Sequence, residues 1–230
     1  RSTEEEAATR SSRDLDAENG TADSFTIQLN ADGTPAGYGD GEHWYYSADS
    51  GCWLYNGVFA LHPSSEAEAE SALQAKLYIS KDAEFNSGTV GGKTSNNGII
   101  SNGNFQWNVY NYKDISGGTF QGGSYNFRGT ISNGTFQGIL RNDSGTISGG
   151  TFENTVEVSA ASGTDATIEG GTFEKRVTLK RSDTPITISN GLFNGEVVAE
   201  ECYAPLSITG GLFTQAVNVS DTDPSKLSIT

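Results

Sequence analysis

The chain has 230 residues, 29 glycines, 11 phenylalanines and no methionine, and its formal charge is −15. This length suffices for one large domain or two small ones with a sizeable core. The negative charge argues against nucleic acid as a partner, because a phosphate backbone would be repelled. No apolar run approaches the roughly 18 residues of a membrane span, so we expect none.

The first 24 residues are rich in acidic side chains and hold only one large aliphatic residue, Leu15. Such a segment cannot bury enough apolar surface to offset the conformational entropy lost on ordering. We therefore expect a disordered acidic leader over residues 1–24.

Residues 25–95 are predicted to form an N-terminal cap and the degenerate first coils of a repeat. Turn-forming Gly, Asp and Asn residues separate strand-like runs at Phe25–Leu29, His43–Tyr46, Cys52–Tyr55 and Val58–Leu61. Fragments typical of degenerate coils follow at Lys76–Ile79 and Ala83–Phe85.

One short helix is predicted between Ser64 and Lys76. Ser65 and Glu68 form a capping-box signature, and Ala69, Ala72 and Leu73 follow at helical spacing. We expect this helix to lie across the end of the repeat region.

Residues 96–230 are an internal repeat in which each isoleucine is followed five residues later by a phenylalanine. The seven complete units are Ile100–Phe105, Ile115–Phe120, Ile131–Phe136, Ile147–Phe152, Ile168–Phe173, Ile188–Phe193 and Ile208–Phe213. Successive isoleucines, including Ile229 of an eighth unit, are 15, 16, 16, 21, 20, 20 and 21 residues apart. Insertions therefore fall between the units. Because the eighth unit is incomplete, we expect the repeat to continue beyond Thr230.

Three positions around each unit carry the structural information. A glycine three residues after the isoleucine, preceded by Asn or Gly, tolerates left-handed backbone and predicts a corner between two inward anchors. Four residues after the phenylalanine begins an alternation typical of a half-buried strand. Its second inward position holds asparagines in three units and aliphatic residues in four, namely Asn111, Asn126, Asn142, Val158, Leu179, Ala199 and Val219. Stacked asparagines can hydrogen-bond along the axis.

These features predict an all-β fold, a single-stranded parallel β-helix or β-solenoid with an N-terminal cap and one short helix. Its coils would stack about 4.8 Å apart. The preference for right-handed parallel crossovers predicts a right-handed coil. The alternative is a sandwich or propeller of antiparallel hairpins, but a propeller blade needs about 40 residues and does not fit these units.

The I-S-G-G-T-F units resemble the glycine-rich right-handed β-helix repeats of secreted and cell-wall bacterial surface proteins, in the pectate-lyase-like superfamily in the broad sense. The stretch HWYYSADSGCWLYNGVFAL, residues 43–61, resembles the Trp-containing strands that often precede such repeats. The resemblance covers about residues 25–230. It implies a secreted or cell-surface location and either adhesion or stalk functions or the cleavage of polysaccharides.

A first candidate site is a pair of carboxylates for glycan cleavage. Glu153 and Glu174 each follow a repeat phenylalanine, so we expect them on neighbouring coils, facing outward. Paired acids can serve acid–base chemistry in glycan cleavage. The rest of their column is amide or hydroxyl, which is equally typical of a polar sheet face.

A second candidate is calcium held by turn aspartates. Asp143, Asp165 and Asp183 lie four, three and five residues before their isoleucines, so they form no strict column. Aspartate is also common in turns because its side chain binds nearby backbone amides. We expect no cofactor, with calcium as the metal that these turns could hold.

A third candidate is an outward aromatic face. The repeat alignment places Tyr110 over Tyr125 and Tyr112 over Phe127, with Arg141 continuing the first column and Trp107 nearby. Such a face can form a flat platform that stacks on sugar rings or anchors a protein partner. Aromatic ladders also stabilise sheets without any ligand.

The two cysteines, Cys52 and Cys202, are 150 residues apart and belong to the cap and to a late coil. A disulfide needs Cα atoms within about 7 Å, so we expect no bridge within one molecule. Neither a zinc-ligand spacing nor a nucleophile triad is present around the cysteines or around His43 and His62.

The sequence therefore predicts a non-enzymatic extracellular solenoid, a monomer that serves as a stalk or adhesion module. Its expected partners are a polysaccharide or a host surface protein bound on the aromatic face. The alternative is a polysaccharide lyase or glycoside hydrolase that uses outward acidic residues.

Overall fold

The computed structural model describes residues 44–47, 52–55, 59–63, 75–79, 81, 84–85, 89–90, 93–161 and 163–230. The chain winds as a parallel β-solenoid in which each coil contributes one strand to each of three sheets. The predicted all-β solenoid is confirmed. Within those ranges the one helical element is a 3-10 turn at Pro224–Lys226.

We name the three sheets by their strands. The broad sheet contains Trp44–Ser47, Cys52–Tyr55, Phe59–Pro63, Ala75–Ile79, Thr94–Asn96, Val109–Asn111, Ser124–Phe127, Leu140–Asp143, Val156–Ala160, Val177–Ser182, Val197–Cys202 and Val217–Val219. The isoleucine sheet contains Glu84–Phe85, Ile99–Ile100, Asp114–Ile115, Thr130–Ile131, Thr146–Ile147, Ala166–Ile168, Ile186–Ile188, Leu206–Ile208 and Leu227–Ile229. The phenylalanine sheet contains Thr89–Val90, Asn104–Phe105, Thr119–Phe120, Thr135–Phe136, Thr151–Phe152, Thr172–Phe173, Leu192–Phe193 and Leu212–Phe213.

The repeat isoleucines from Ile100 to Ile208 and the repeat phenylalanines from Phe105 to Phe193 are buried in the interior, as predicted. Ile115 pairs with Ile131 and Phe120 with Phe136, and the same register holds between the other units. From Phe105 to Phe213 neighbouring rings stack with centroids 4.5 to 5.0 Å apart and planes within 18°. Burying such a side chain contributes about 1.5–3 kcal/mol, so the two columns stabilise every coil through which they pass.

The glycine corners are confirmed by their backbone angles. The seven repeat glycines, from Gly103 to Gly211, have φ between 106° and 135°, a region that residues with a Cβ rarely adopt. Each lies between the inward isoleucine and the inward phenylalanine of its unit. The corner therefore explains why this glycine occurs in every unit.

The asparagine ladder is also confirmed, and it is one residue longer than predicted. Asn96 Nδ2 donates to Asn111 Oδ1 at 2.6 Å, Asn111 to Asn126 at 2.7 Å, and Asn126 to Asn142 at 2.6 Å. Each side chain also donates to a backbone carbonyl, that of the strand residue Asp114 for Asn96 and that of a turn residue for the other three, and all four are buried. Asn96 was missed because it precedes the first complete unit.

The predicted cap strands extend the broad sheet. Trp44–Ser47, Cys52–Tyr55 and Phe59–Pro63 pair antiparallel, and Phe59–Pro63 pairs antiparallel with Ala75–Ile79. Ala75–Ile79 then pairs in parallel with Thr94–Asn96 and begins the solenoid. The coil strands predicted at Lys76–Ile79 and Ala83–Phe85 are confirmed as Ala75–Ile79 and Glu84–Phe85, each with its parallel partner.

The predicted short helix is wrong at its C-terminal end. Lys76 pairs with His62 in the sheet, and sheet pairing outweighs a weak local helical propensity. Residues 64–74 of this helix, the leader at residues 1–24 and the run Phe25–Leu29 lie outside the described residues.

Candidate ligand-binding face

The broad sheet brings most of the predicted aromatic residues together on its outer surface. Val109 and Asn111 point inward, so the alternation of the strand turns Tyr110 outward between them. Tyr110 pairs in register with Tyr125, and Tyr125 pairs with Arg141. The column expected from the repeat alignment therefore exists.

We call Tyr110, Tyr112, Tyr125 and Phe127 the aromatic block. Tyr110 stacks on Tyr125 with centroids 4.8 Å apart and planes at 8°, and Tyr112 stacks on Phe127 at 5.4 Å and 19°. Within one coil, the centroids of Tyr125 and Phe127 are 6.5 Å apart. Each ring covers one face of its partner because its column repeats at the strand spacing. The block is thus a ladder rather than the flat platform expected from the sequence.

Trp107 does not join this ladder. It precedes the strand Val109–Asn111, is 55% exposed, and stacks on no other ring among the residues described. The structure therefore unites five of the six predicted ligand-binding residues and leaves the tryptophan beside them.

Arg141 closes one end of the block. Its Nη1 donates to the Tyr125 hydroxyl at 3.2 Å, and its guanidinium carbon lies 5.5 Å from the Tyr125 ring centroid. Its Nε donates to Glu157 Oε2 at 3.0 Å, and this hydrogen bond raises the pKa of Arg141 above its ordinary value. The guanidinium is held in one orientation by a ring, a hydroxyl and a carboxylate.

Glu157 links the aromatic block to further positive charge. The Lys180 ammonium lies 3.0 Å from the same Glu157 oxygen that Arg141 contacts. Partial burial would raise the pKa of Glu157, but hydrogen bonds from Lys180 and Arg141 outweigh it and lower the pKa. One carboxylate therefore positions two cationic side chains.

An open groove of about 430 Å³ adjoins this ion-pair network. Its lining residues are Arg141, Glu157, Ser159, Ala161, Lys180 and Arg181. Sequence reasoning missed Glu157 and Lys180 as site residues. The signal for Glu157 was present, because it occupies the position in its unit that Tyr110, Tyr125 and Arg141 occupy in theirs.

The acidic pair proposed for glycan cleavage lies away from the broad sheet, directly after strands of the phenylalanine sheet. Glu153 and Glu174 follow Phe152 and Phe173, which pair on neighbouring coils, and both are exposed as expected. Glu174 Oε2 accepts a hydrogen bond from Asn194 Nδ2 at 3.1 Å. A catalytic role for this pair stays a prediction.

The aspartates considered for calcium do not converge. In the described part of the chain no group of three His, Cys, Asp or Glu side chains could hold a metal ion. Asp143 Oδ1 accepts hydrogen bonds from Ser144 Oγ at 3.2 Å and from the Ala161 amide at 3.4 Å, as a turn aspartate does. Calcium binding by Asp143, Asp165 or Asp183 stays untested.

Cys202 is a free thiol with 1% of its surface exposed, and burial raises its pKa. Its strand and the strand of Cys52 are separated by nine steps of the broad sheet, or about 43 Å at the usual strand spacing. The expectation of no disulfide between them is confirmed.

Comparison of the chain with protein families, curated proteins and solved structures yields no match. The fold defines it as a parallel β-solenoid. Across the residues that the structure describes, no helix is long and apolar enough to span a membrane.

Proposed function

We propose that this protein is a non-enzymatic extracellular solenoid that acts as a stalk or adhesion module and binds glycan at the aromatic block. The observation that carries the proposal is the ordered stack of Tyr110, Tyr112, Tyr125 and Phe127 on the outer surface, closed at one end by Arg141. Aromatic side chains offer large, rigid contact area together with hydroxyl groups at their tips.

The open end of the ladder is the proposed stacking position for a sugar. Arg141 covers the second face of Tyr125, whereas the strand neighbour of Tyr110 on its other side is Ser95. Serine is too small to cover a phenol ring, so the second face of Tyr110 is the proposed position for the apolar face of a pyranose. Tyr78 is the next residue of the same column beyond Ser95.

The solenoid suits the stalk part of this role. Its nine parallel strands in the broad sheet extend for about 38 Å at the usual spacing. Each coil contacts mainly its neighbours, so length is added by stacking further coils. A ligand-binding face on the side of such a stack can be displayed away from its attachment point.

A glycan array tests the proposal. Wild-type protein should bind at least one glycan, and the double variant Tyr110→Ala, Tyr125→Ala should lose that binding. Tyr203→Ala is the matched control, because Tyr203 is 59% exposed and lies outside the block. Ser95→Ile should also abolish binding, because an aliphatic side chain would cover Tyr110 without offering a new ring face and would leave the ladder in place. Binding that survives both changes, or no glycan binding by wild type, would refute the proposal.

The alternative function is polysaccharide cleavage by Glu153 and Glu174. It is favoured only by their exposure on neighbouring coils. The double variant Glu153→Gln, Glu174→Gln should abolish any depolymerisation of a polysaccharide panel under the alternative. It should leave array binding unchanged under the proposal above.

A further inference from the structure

The groove beside the aromatic block is positively charged in a strongly acidic chain. Its lining holds three cations, Arg141, Lys180 and Arg181, against one carboxylate, Glu157. The whole chain carries −15. Glu201, which lies outside the lining, has its Oε2 3.7 Å from Arg181 Nε. Both side chains are highly exposed, so this ion pair is weak. Two further acids lie near the lining, since Asp143 accepts a hydrogen bond from the Ala161 amide and Glu200 pairs in register with Lys180. The lining itself has three cations and one carboxylate, so its own side chains favour an anion.

The cations retain donors for a ligand. Arg141 uses Nε and Nη1 for Glu157 and Tyr125, which leaves the rest of its five-donor fork. Lys180 has three donors and one ion-pair partner, Glu157, among the residues described. The Arg181 side chain is 77% exposed. These donors belong to two different coils and line one groove.

We propose that the groove binds a tetrahedral oxyanion ester, a sulfate or a phosphate, carried by the ligand. This inference rests on the proposed glycan-binding function and specifies its ligand class. A tetrahedral ester has three terminal oxygens, one for each cation of the lining. A ligand carboxylate has only two oxygens, which lie in one plane. Arg141 and Lys180 already contact a carboxylate, that of Glu157, so a second carboxylate would add less than a three-oxygen ester. Guanidinium and ammonium groups both bind such esters strongly.

Glu157 has two opposing effects on this site. It holds Arg141 and Lys180 beside the groove, and its own negative charge competes with the ligand for their donors. Arg141 is also fixed by Tyr125, so it stays in place without Glu157. Removing the charge with Glu157→Gln should therefore tighten binding of the ester, an effect opposite to that expected from losing a purely structural ion pair.

Titration with four monosaccharides tests the ligand class. The probes are glucose, glucuronate, glucose 6-sulfate and glucose 6-phosphate, which share one ring and differ in one substituent. The readout is the side-chain NMR shift of the Arg141 Nε–H group, with Arg176 as the internal reference. Either ester should shift Arg141 saturably, and comparison of the two shows which ester is preferred. Glucose and glucuronate should bind at least about tenfold more weakly.

Matched variants separate this site from diffuse electrostatics. Lys180→Gln should weaken ester binding about tenfold. Arg176→Gln, which removes a cation paired with Glu196 at another corner, should leave it unchanged. The proposal is wrong if glucuronate binds as well as the esters, if both lysine and arginine variants behave alike, or if Glu157→Gln weakens binding.

The two proposals fail in different ways. Tyrosine-dependent glycan hits with no Lys180-dependent ester binding would overturn the ester site and leave the glycan-binding function standing. Lys180-dependent ester binding without any tyrosine-dependent glycan would overturn the glycan-binding function instead.

Discussion

The solenoid has two regions that share a core but differ in width. Short coils of 15 or 16 residues run from Ile100 to Ile147, and long coils of 20 or 21 residues run from Ile147 to Ile229. The isoleucine and phenylalanine columns pass through both without interruption. The additional residues lie where the broad sheet leads into the isoleucine sheet. There the strand lengthens from Val109–Asn111 to Val177–Ser182.

The two regions fill this side of the core with different chemistry. Long coils bury additional small or apolar side chains, namely Ala160, Ala166, Ile186, Cys202, Ala204 and Leu206. In short coils the chain turns directly after the strand of the broad sheet. The turn carbonyls at Gly129 and Gly145 accept hydrogen bonds from Asn126 and Asn142. These carbonyls also accept the backbone N–H groups of Thr146 and Thr167. In a narrow coil the turn carbonyls therefore provide partners for the buried asparagine amides, which would be costly to leave unpaired. A wide coil has space for an apolar layer instead.

The candidate site spans the boundary between these regions. Tyr125 and Arg141 belong to short coils, whereas Glu157 and Lys180 belong to the first two long coils. The strand pairing shifts between Val158 and Ala160, where the coil begins to widen. Ser159, which still pairs in register with Asp143 of the last short coil, and Ala161, which lies beyond that register, both line the groove. The groove beside the aromatic block therefore lies where the coil width changes.

The largest expected loss of stability comes from variants in the phenylalanine column, which the two regions share. Phe120→Ala in a short coil and Phe173→Ala in a long coil each remove a fully buried ring stacked on both sides. Each should lower the free energy of unfolding by about 4 kcal/mol, measured by urea denaturation. The two losses should agree within about 1 kcal/mol. A clearly smaller loss in one region would show that its core depends less on the phenylalanine column.

The shared core could be predicted from the sequence because every unit repeats it. The Ile-to-Phe interval is constant, and the corner requires a glycine at positive φ, so both leave a periodic signal. The short helix was less predictable because a capping box and helical spacing are local. Pairing of Lys76 with His62 in the sheet is a non-local contact that the local pattern does not contain.

The site was only partly predictable for a related reason. The alignment placed Tyr110 over Tyr125 correctly, since register follows from the repeat. It could not show that stacked rings cover each other, which depends on side-chain torsions. The contact of Lys180 with Glu157 joins different positions of successive units, so no column contains it.

A smaller loss of stability is expected from variants in the asparagine ladder of the short coils and the apolar layer of the long coils, which distinguish the two regions. Asn126→Val removes hydrogen bonds to Asn142 Oδ1 and the Gly129 carbonyl and deprives Asn111 of an acceptor. We expect a loss of about 3 kcal/mol in the free energy of unfolding, measured by urea denaturation. Leu179→Asn, which puts an unpartnered amide into the apolar layer, should cost about as much.

A variant at the boundary between the two regions, Val158→Asn, is the control for Leu179→Asn. Val158→Asn also introduces an amide into a long coil, but Val158 pairs in register with Asn142, the last member of the ladder. Asn142 could provide a hydrogen-bond partner there, so the loss should be clearly smaller than for Leu179→Asn. Equal losses for the two variants would mean that the ladder cannot be extended and that coil width, rather than partner supply, determines where asparagine is tolerated.

The smallest expected effect concerns the ion pairs that bridge the boundary. Glu157 is partly exposed, so Glu157→Gln should lower the free energy of unfolding by less than about 1 kcal/mol at neutral pH. Because the folded state lowers the pKa of Glu157, its stabilisation is present above the unfolded pKa of about 4.3 and is lost as pH falls through the lower folded pKa. Urea denaturation of both proteins from neutral to acidic pH should show the difference shrinking to zero. A difference that stays constant with pH would mean that the carboxylate charge does not hold the short and long coils together, and that the groove is shaped by packing alone.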